Sequence, residues 1–63
     1  MENEYATIKV MTATERLAYE GADVSALPRE IKTSAGITIF GRDERVLAIF
    51  APGVVLGITV ERP

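Results

Sequence analysis

The chain has 63 residues, of which nine are acidic and seven are basic, and its formal net charge is −2. It contains neither cysteine nor histidine, so disulfides, Cys-based zinc sites and thiol chemistry are excluded, and the commonest general base is missing. The acidic balance argues against a nonspecific nucleic-acid binder, because such proteins carry a marked excess of basic residues.

This length predicts one domain, residues 1–63, with little room for a core. A chain this short buries only about 60% of the surface that its unfolded state exposes. Small domains therefore need additional support, and without disulfides we expect that support to come from oligomerisation.

The first two predicted elements are strands joined by a turn. Residues 5–11 alternate between an apolar face with Ala6, Ile8 and Val10 and a more polar face, as a half-buried strand does. Residues 12–15 predict a turn, and residues 16–20 predict a second strand because they alternate as well. Residues 12–20 also fit a short helix, since a threonine and a glutamate there have the spacing of a capping box, but their apolar stripe is weak.

The middle of the chain carries loop and turn signals. Gly21-Ala22-Asp23 predicts a loop in which Gly21 adopts a positive φ. Residues 24–27 predict a short extended piece, because a residue that precedes proline is disfavoured in the right-handed helical region. Residues 33–36 predict a turn of small residues, residues 37–40 a strand, and residues 41–44 a charged hairpin turn.

Residues 46–60 contain no charge and are rich in β-branched side chains, which suit a buried sheet. Pro52-Gly53 divides them, and the type II turn that this pair favours matches a tight hairpin poorly, so we expect a longer or bulged connection. The second piece alternates, with these apolar side chains on one face: Val54, Leu56, Ile58 and Val60. The first piece, residues 46–51, is apolar on both faces and must be covered on both. We therefore predict an all-β fold whose subunits associate through this strand.

Two observations bear on the location of the protein. The opening Met1-Glu2-Asn3-Glu4 is acidic and no apolar segment follows it, so we expect no signal peptide. Residues 46–60 are too short, and too broken by Pro52-Gly53, to span a bilayer. We expect a soluble, cytoplasmic protein.

Four short motifs stand out in chain order. They are Asn3-Glu4-Tyr5-Ala6-Thr7-Ile8-Lys9, Gly21-Ala22-Asp23, Lys32 followed by Gly36, and Ala48-Ile49 followed by Gly53. Together they cover most of the chain and resemble the trp RNA-binding attenuation protein family. The resemblance implies a small antiparallel β-sandwich subunit that assembles into a closed homo-oligomeric ring. Members of that family bind free tryptophan between adjacent subunits, and the ring then wraps single-stranded RNA.

The resemblance implies a site for an amino-acid- or nucleotide-like molecule between subunits. The ligand-binding residues predicted there are Tyr19, Gly21, Ala22, Asp23, Gly41, Arg42, Asp43 and Arg45. Lys32 matches a basic RNA contact of the family, and Arg29 lies in the same segment. The other two basic positions of the family fall on Phe50 and Pro52, which can neither pair with phosphate nor hydrogen-bond a base. RNA binding is therefore predicted to be weakened.

The same residues have simpler structural interpretations. Asp23 fits an Asx-type turn in which its side chain bonds the nearby backbone, and we favour that interpretation. Tyr19 fits an aromatic packed at a subunit edge. The charged residues 42–45 fit a solvated turn that keeps sheet edges from sticking.

A second resemblance supports an alternative function. Leu27-Pro28-Arg29-Glu30-Ile31-Lys32 with Ala35-Gly36-Ile37 resembles AbrB-type swapped-hairpin proteins, which implies a dimeric DNA-binding transcription regulator or antitoxin. The basic N-terminal arm of that family is missing, since only Lys9 precedes Arg16. No catalytic residue is predicted, because without His or Cys catalysis would fall to carboxylates, Lys or Tyr, and no pair of carboxylates has a recognisable catalytic spacing. No cofactor and no metal are predicted either. The chain is predicted to be a binding protein and not an enzyme.

Overall fold

The computed structural model describes residues 3–32 and 34–62, which form two antiparallel sheets. The strands are β1 (Tyr5–Thr12), β2 (Arg16–Asp23), β3 (Ile37–Phe40), β4 (Val46–Phe50) and β5 (Val55–Glu61). β1 is the centre of a three-stranded sheet with the order β2-β1-β5, and β3 pairs with β4 in a separate two-stranded sheet. The all-β, antiparallel prediction is confirmed. No helix within these residues is long and apolar enough to cross a membrane.

The first hairpin confirms the predicted turn and excludes the short helix. Thr12 closes it: its backbone N–H donates to the Glu15 carbonyl at 2.9 Å, and its hydroxyl accepts from the Glu15 N–H at 3.0 Å. These bonds satisfy the polar groups at the point where β1 turns into β2. β2 then pairs with β1 from Arg16 onward, because alternation places Leu17 and Tyr19 toward the core.

β2 extends through Gly21-Ala22-Asp23, so the loop predicted there is wrong. Ala22 pairs with Ala6 and is fully buried, and the packing of these two side chains outweighs a composition that is typical of loops. Two residues of β2, Glu20 and Gly21, lie opposite the single Thr7, which makes a β-bulge. The positive φ predicted for Gly21 is confirmed at 67°.

One core lies between the two sheets. Its fully or almost fully buried side chains come from both of them: Ile8, Val10, Ala22 and Val55 from the three-stranded sheet, and Ile37 and Ile39 from β3. Ala48 and Phe50 of β4 pack against this cluster and stay half-buried. The edge of the Tyr19 ring meets Phe50 with 6.3 Å between ring centroids, which joins β2 to β4.

A second bulge changes the faces of β5. Thr12 pairs with Val55 and Met11 pairs with Gly57, so Leu56 is an extra residue. Val55 is 1% exposed, whereas Leu56 is 48% exposed. The predicted common face is therefore wrong in its first half: Ile58 and Val60 pack on the core, but Val54 and Leu56 do not. The bulge reverses the alternation at this point, which a period of two along the chain cannot show.

The connections differ in part from their predictions. Residues 24–26 form a 3-10 turn and are not extended, because the Leu27 N–H donates to the Val24 carbonyl; only Leu27 itself, before a proline, is extended. The Ala35 N–H donates to the Lys32 carbonyl in the predicted small-residue turn, of which Thr33 lies outside the described residues.

The turn at Pro52-Gly53 joins no hairpin, since β4 and β5 belong to different sheets. Its hydrogen bond from Val54 to Ala51, and a φ of 82° at Gly53, are those of a type II turn.

The predicted charged turn between β3 and β4 is confirmed, and its backbone is strained. The Gly41 N–H donates to the Arg45 carbonyl at 2.6 Å and closes the hairpin. Inside it, Asp43 and Glu44 have φ values of 57° and 58°. Two positive φ values in succession are what a type I′ hairpin turn requires, and glycine or asparagine is the usual occupant. Glutamate is a poor residue for this conformation.

We predict that Glu44→Gly stabilises the protein. A left-handed non-glycine residue costs roughly 1–2 kcal/mol, and glycine removes most of that cost while adding some unfolded-state entropy, so we expect a gain of about 1 kcal/mol. The melting temperature should rise by about 4–8 °C when measured by calorimetry at a fixed protein concentration. Glu30→Gly, in an exposed loop without a positive φ, is the control and should not stabilise. A Glu44→Gly protein that melts no higher than the wild type would contradict the strain.

Candidate functional site

A cleft at the end of the three-stranded sheet brings together two residues that the sequence placed in a ligand site. Gly21 and Arg42 both line it, within one subunit. Its volume is about 260 Å³, and its other lining residues are Tyr5, Ala6, Thr7, Glu61 and Arg62. We call this cavity, defined by these seven residues, the arginine cleft.

Arg42 is held over an aromatic ring. Its guanidinium carbon lies 4.3 Å from the centroid of the Tyr5 ring, which is a cation–π contact. Within residues 3–32 and 34–62 Arg42 makes no ion pair. The contact restrains the guanidinium, which carries five N–H donors in a planar fork. Arg42 is therefore a preorganised donor for an anionic group.

The backbone that carries Arg42 is the strained turn. Asp43 and Glu44, which follow it directly, are the two residues with left-handed φ values. Such conformations cost of order 1–3 kcal/mol each, persist only when the surroundings hold them, and cluster at ligand clamps and switch regions. Strain beside a stacked arginine and a cleft is the combination that motivates a binding role for this turn.

Gly21 leaves part of the lining of the cleft without a side chain. It lies in the β2 bulge, and no atom other than its chain neighbours comes within 4 Å of the position that a Cβ would occupy. Because no side chain covers the backbone there, a ligand can approach it closely. The bulge in β2 therefore shapes the arginine cleft as well as the strand pairing.

The carboxylates beside the cleft are already neutralised. Arg62 donates from Nε and Nη2 to both carboxylate oxygens of Glu4, and this hydrogen bonding, with the charge of Glu4, raises the pKa of the Arg62 guanidinium above its ordinary value. Lys9 pairs with Glu61 at 2.5 Å. The charge of Arg42 is thus the one on the lining that these contacts leave uncompensated, which favours an anionic ligand.

The carboxylate of Asp23 accepts hydrogen bonds from neighbouring residues of the protein. One carboxylate oxygen accepts from the Ser25 N–H at 3.0 Å and from the Ser25 hydroxyl at 2.5 Å, and the other accepts from the Asn3 amide at 3.2 Å. The side chain is 9% exposed and caps the 3-10 turn that follows β2. This is the Asx-type arrangement that the sequence favoured.

The remaining predicted site residues lie outside the arginine cleft. Tyr19 packs on Phe50, and Ala22 and Gly41 are buried. Asp43 and Arg45 are exposed on the turn that carries Arg42, and both predicted RNA contacts, Arg29 and Lys32, are exposed in the irregular segment before β3. Their contact with a ligand or RNA stays a prediction.

Sequence reasoning missed Tyr5 and Arg62. Tyr5 was assigned only to the polar face of β1, and its position opposite Asp23 is what brings it to the Gly21 bulge. Arg62 reaches the cleft because Thr7 pairs with Glu61, one residue earlier. Neither pairing leaves a local signal. Among the described residues, no group of three or more acidic side chains is placed to hold a metal ion.

Comparisons with protein-family models, with curated proteins and with solved structures return no match to this chain. The resemblance to the trp RNA-binding attenuation proteins therefore rests on the motifs of the sequence, and the function is argued from geometry.

We predict that Asp23→Ala destabilises the fold even without any ligand. It removes the acceptor for the Ser25 N–H and hydroxyl at a nearly buried position, so the free energy of unfolding should fall by about 1–2 kcal/mol in denaturant titrations. Glu20→Ala, an exposed neighbour on β2, is the control and should change it by less than about 0.5 kcal/mol. Equal stability of the two variants would show that the Asx-type turn contributes nothing.

Proposed function

We propose that this protein is a non-enzymatic, cytoplasmic binding protein that acts as a homo-oligomeric ring and takes a small amino-acid- or nucleotide-like anion in the arginine cleft. The observation that carries the assembly is the outer face of β4. Ile49 is 74% exposed and Leu47 is 36% exposed, while Ala48 and Phe50 on the other face pack on the core. A strand with two apolar faces, of which one meets water, favours a further layer of protein.

The sheet that contains β4 also favours association. It has two strands, and one of its two faces packs on the core against the three-stranded sheet. Across the part of the chain that the structure describes, neither β3 nor β4 has a strand on its outer edge. Unpaired edges of this kind invite pairing with another chain. A second copy of the same protein supplies both a cover for the apolar face and a partner for the edges.

Closure into a ring is the part of the proposal that the resemblance supports. A contact between two different surfaces of identical subunits repeats until it closes or grows into a filament. Each subunit of a ring then carries one arginine cleft, so ligand saturation approaches one molecule per subunit.

The chemistry of the cleft supports the ligand class. Arg42 offers the planar fork that matches a carboxylate or a phosphate, and the Tyr5 ring beneath it restrains that fork. Amino acids and nucleotides each provide an anionic group together with a planar or apolar one. RNA is proposed as a weaker, second partner, since Arg29 and Lys32 are the exposed cations that the resemblance implies for it.

We predict that the wild type is oligomeric and that Ile49→Asp dissociates it. An aspartate on the exposed apolar face would be buried without a partner in the assembly, while the separate chain loses no core contact. Native mass spectrometry should show several copies for the wild type and smaller species for the variant, with equal circular dichroism. Ser34→Asp, at an exposed turn, is the control. A wild type that stays a folded monomer at micromolar concentration would end the proposal, and a dimer that binds palindromic DNA tightly would favour the AbrB-type alternative.

We predict that ligand binding depends on Arg42. Tryptophan and adenosine monophosphate are suitable probes, measured by calorimetry with native mass spectrometry of protein purified without refolding. Arg42→Gln keeps a neutral hydrogen-bond donor but loses the charge and shortens the side chain, so affinity for the bound probe should fall about tenfold or more. Arg45→Gln, on the same turn but outside the cleft, is the matched control. Equal loss in both variants would place the site elsewhere, and a steep salt dependence of single-stranded RNA binding would make RNA the principal partner.

A further inference from the structure

A second cavity lies on the outer face of the three-stranded sheet, away from the arginine cleft. Its volume is about 510 Å³. Its lining residues come from all three strands: Lys9, Val10 and Met11 of β1, Arg16, Leu17 and Ala18 of β2, and Gly57, Ile58 and Thr59 of β5. We call it the outer groove.

The outer groove is a depression because small side chains stand where large ones would fill it. Ala18 pairs with Lys9, and Gly57 pairs with Met11 on the other side of β1. The two long side chains of β1 both lean toward β5: Lys9 reaches Glu61, and the Met11 methyl lies 3.5 Å from the Cβ position of Gly57. The space above Ala18 is therefore left open. The flexible Met11 lets the wall of the groove adapt to an occupant.

Exposed apolar side chains lie both on β4 and in the outer groove. Among the large hydrophobic residues that the structure describes as exposed, Val46, Leu47 and Ile49 lie on β4, and Met11 lines the outer groove; the other two, Val54 and Leu56, lie outside both. The most exposed of the β4 residues is Ile49, whose side chain is β-branched and stiff. The outer groove is a recess. A stiff, exposed apolar side chain is suited to fill such a recess.

We propose that the outer groove of one copy receives the β4 surface (Val46, Leu47 and Ile49) of the next copy, head to tail, with Ile49 seated above Ala18. This inference rests on the proposed oligomer and adds which two surfaces meet. An interface between two different surfaces is heterologous, and it is the type from which rings are built. A two-fold interface would instead place the same surface on both copies.

The available surface and the charges agree with a second copy as the occupant. A specific interface buries about 800 Å² per partner, which is a modest share of the 4671 Å² that this chain exposes. Arg16 at the rim of the groove makes no ion pair with any residue in the two described ranges. The turn that precedes β4 carries exposed Asp43 and Glu44 between Arg42 and Arg45, and none of the four makes an ion pair there. A copy seated by β4 therefore brings carboxylates with which Arg16 can pair, together with two cations.

Two variants, each damaging one surface, test the head-to-tail arrangement. Ile49→Asp places a charge on the β4 surface and leaves the outer groove unchanged. Ala18→Glu fills the outer groove and leaves the β4 surface unchanged. Each alone should raise the concentration for half-dissociation at least tenfold. Mixed in equal amounts, they should form a one-to-one heterodimer, because one good surface of each kind remains. Native mass spectrometry of one isotope-labelled partner detects that heterodimer.

Two further variants separate an effect on the outer groove from an effect of added charge or of unfolding. Ser34→Glu adds the same charge as Ala18→Glu outside both surfaces and should assemble like the wild type. Ala18→Lys fills the groove with the opposite charge and replaces Ala18→Glu if circular dichroism shows that variant unfolded. A wild-type oligomer whose two variants form no heterodimer, or an Ala18→Glu or Ala18→Lys protein that assembles normally, would overturn the head-to-tail arrangement alone. A monomeric wild type would overturn the proposed oligomer as well.

Discussion

The structure depends on the central position of β1. This strand pairs along both edges, with β2 on one side and β5 on the other, and its inward side chains Ile8 and Val10 are almost completely buried. No other strand satisfies both rows of its backbone hydrogen-bonding groups within the described part of the chain. In a domain this small, a strand with two hydrogen-bonded neighbours and a buried face fixes the positions of the other elements that pack on it.

Each of the three irregularities in strand pairing lies at a surface for which we propose a role. The bulge in β2 places Gly21 at the arginine cleft, and the bulge in β5 lies next to Gly57 of the outer groove and turns Leu56 away from the core. The third lies between the pairs Ile39–Ala48 and Phe40–Val46, where Leu47 is the extra residue on β4. A bulge breaks the alternation between core and solvent, and it can therefore direct apolar or open positions outward without disturbing the buried face.

Both paired and uncompensated charges line the surfaces where a partner is proposed. The pairs Arg62–Glu4 and Lys9–Glu61 are exposed and contribute little to stability, but they compensate the charges of Glu61 and Arg62 at the arginine cleft and of Lys9 at the outer groove. Arg42 at the cleft and Arg16 at the outer groove have no such partner among residues 3–32 and 34–62. An acidic protein can in this way present two local positive positions to a ligand and to a neighbouring copy.

The sequence by itself determined the strands, the turn at residues 12–15, the positive φ of Gly21 and the apolar second face of β4. These features depend on neighbouring residues, because alternation, turn chemistry and a missing Cβ act within a few positions of the chain. Only the tertiary structure decided that β2 continues to Asp23, that Leu56 turns outward, and that β4 and β5 lie in different sheets. It also decided that Tyr5, Gly21 and Arg42 line one cleft. The physical reason is that register and sheet partnership are set by packing between residues far apart in the chain, and a bulge of one residue changes the face of everything beyond it.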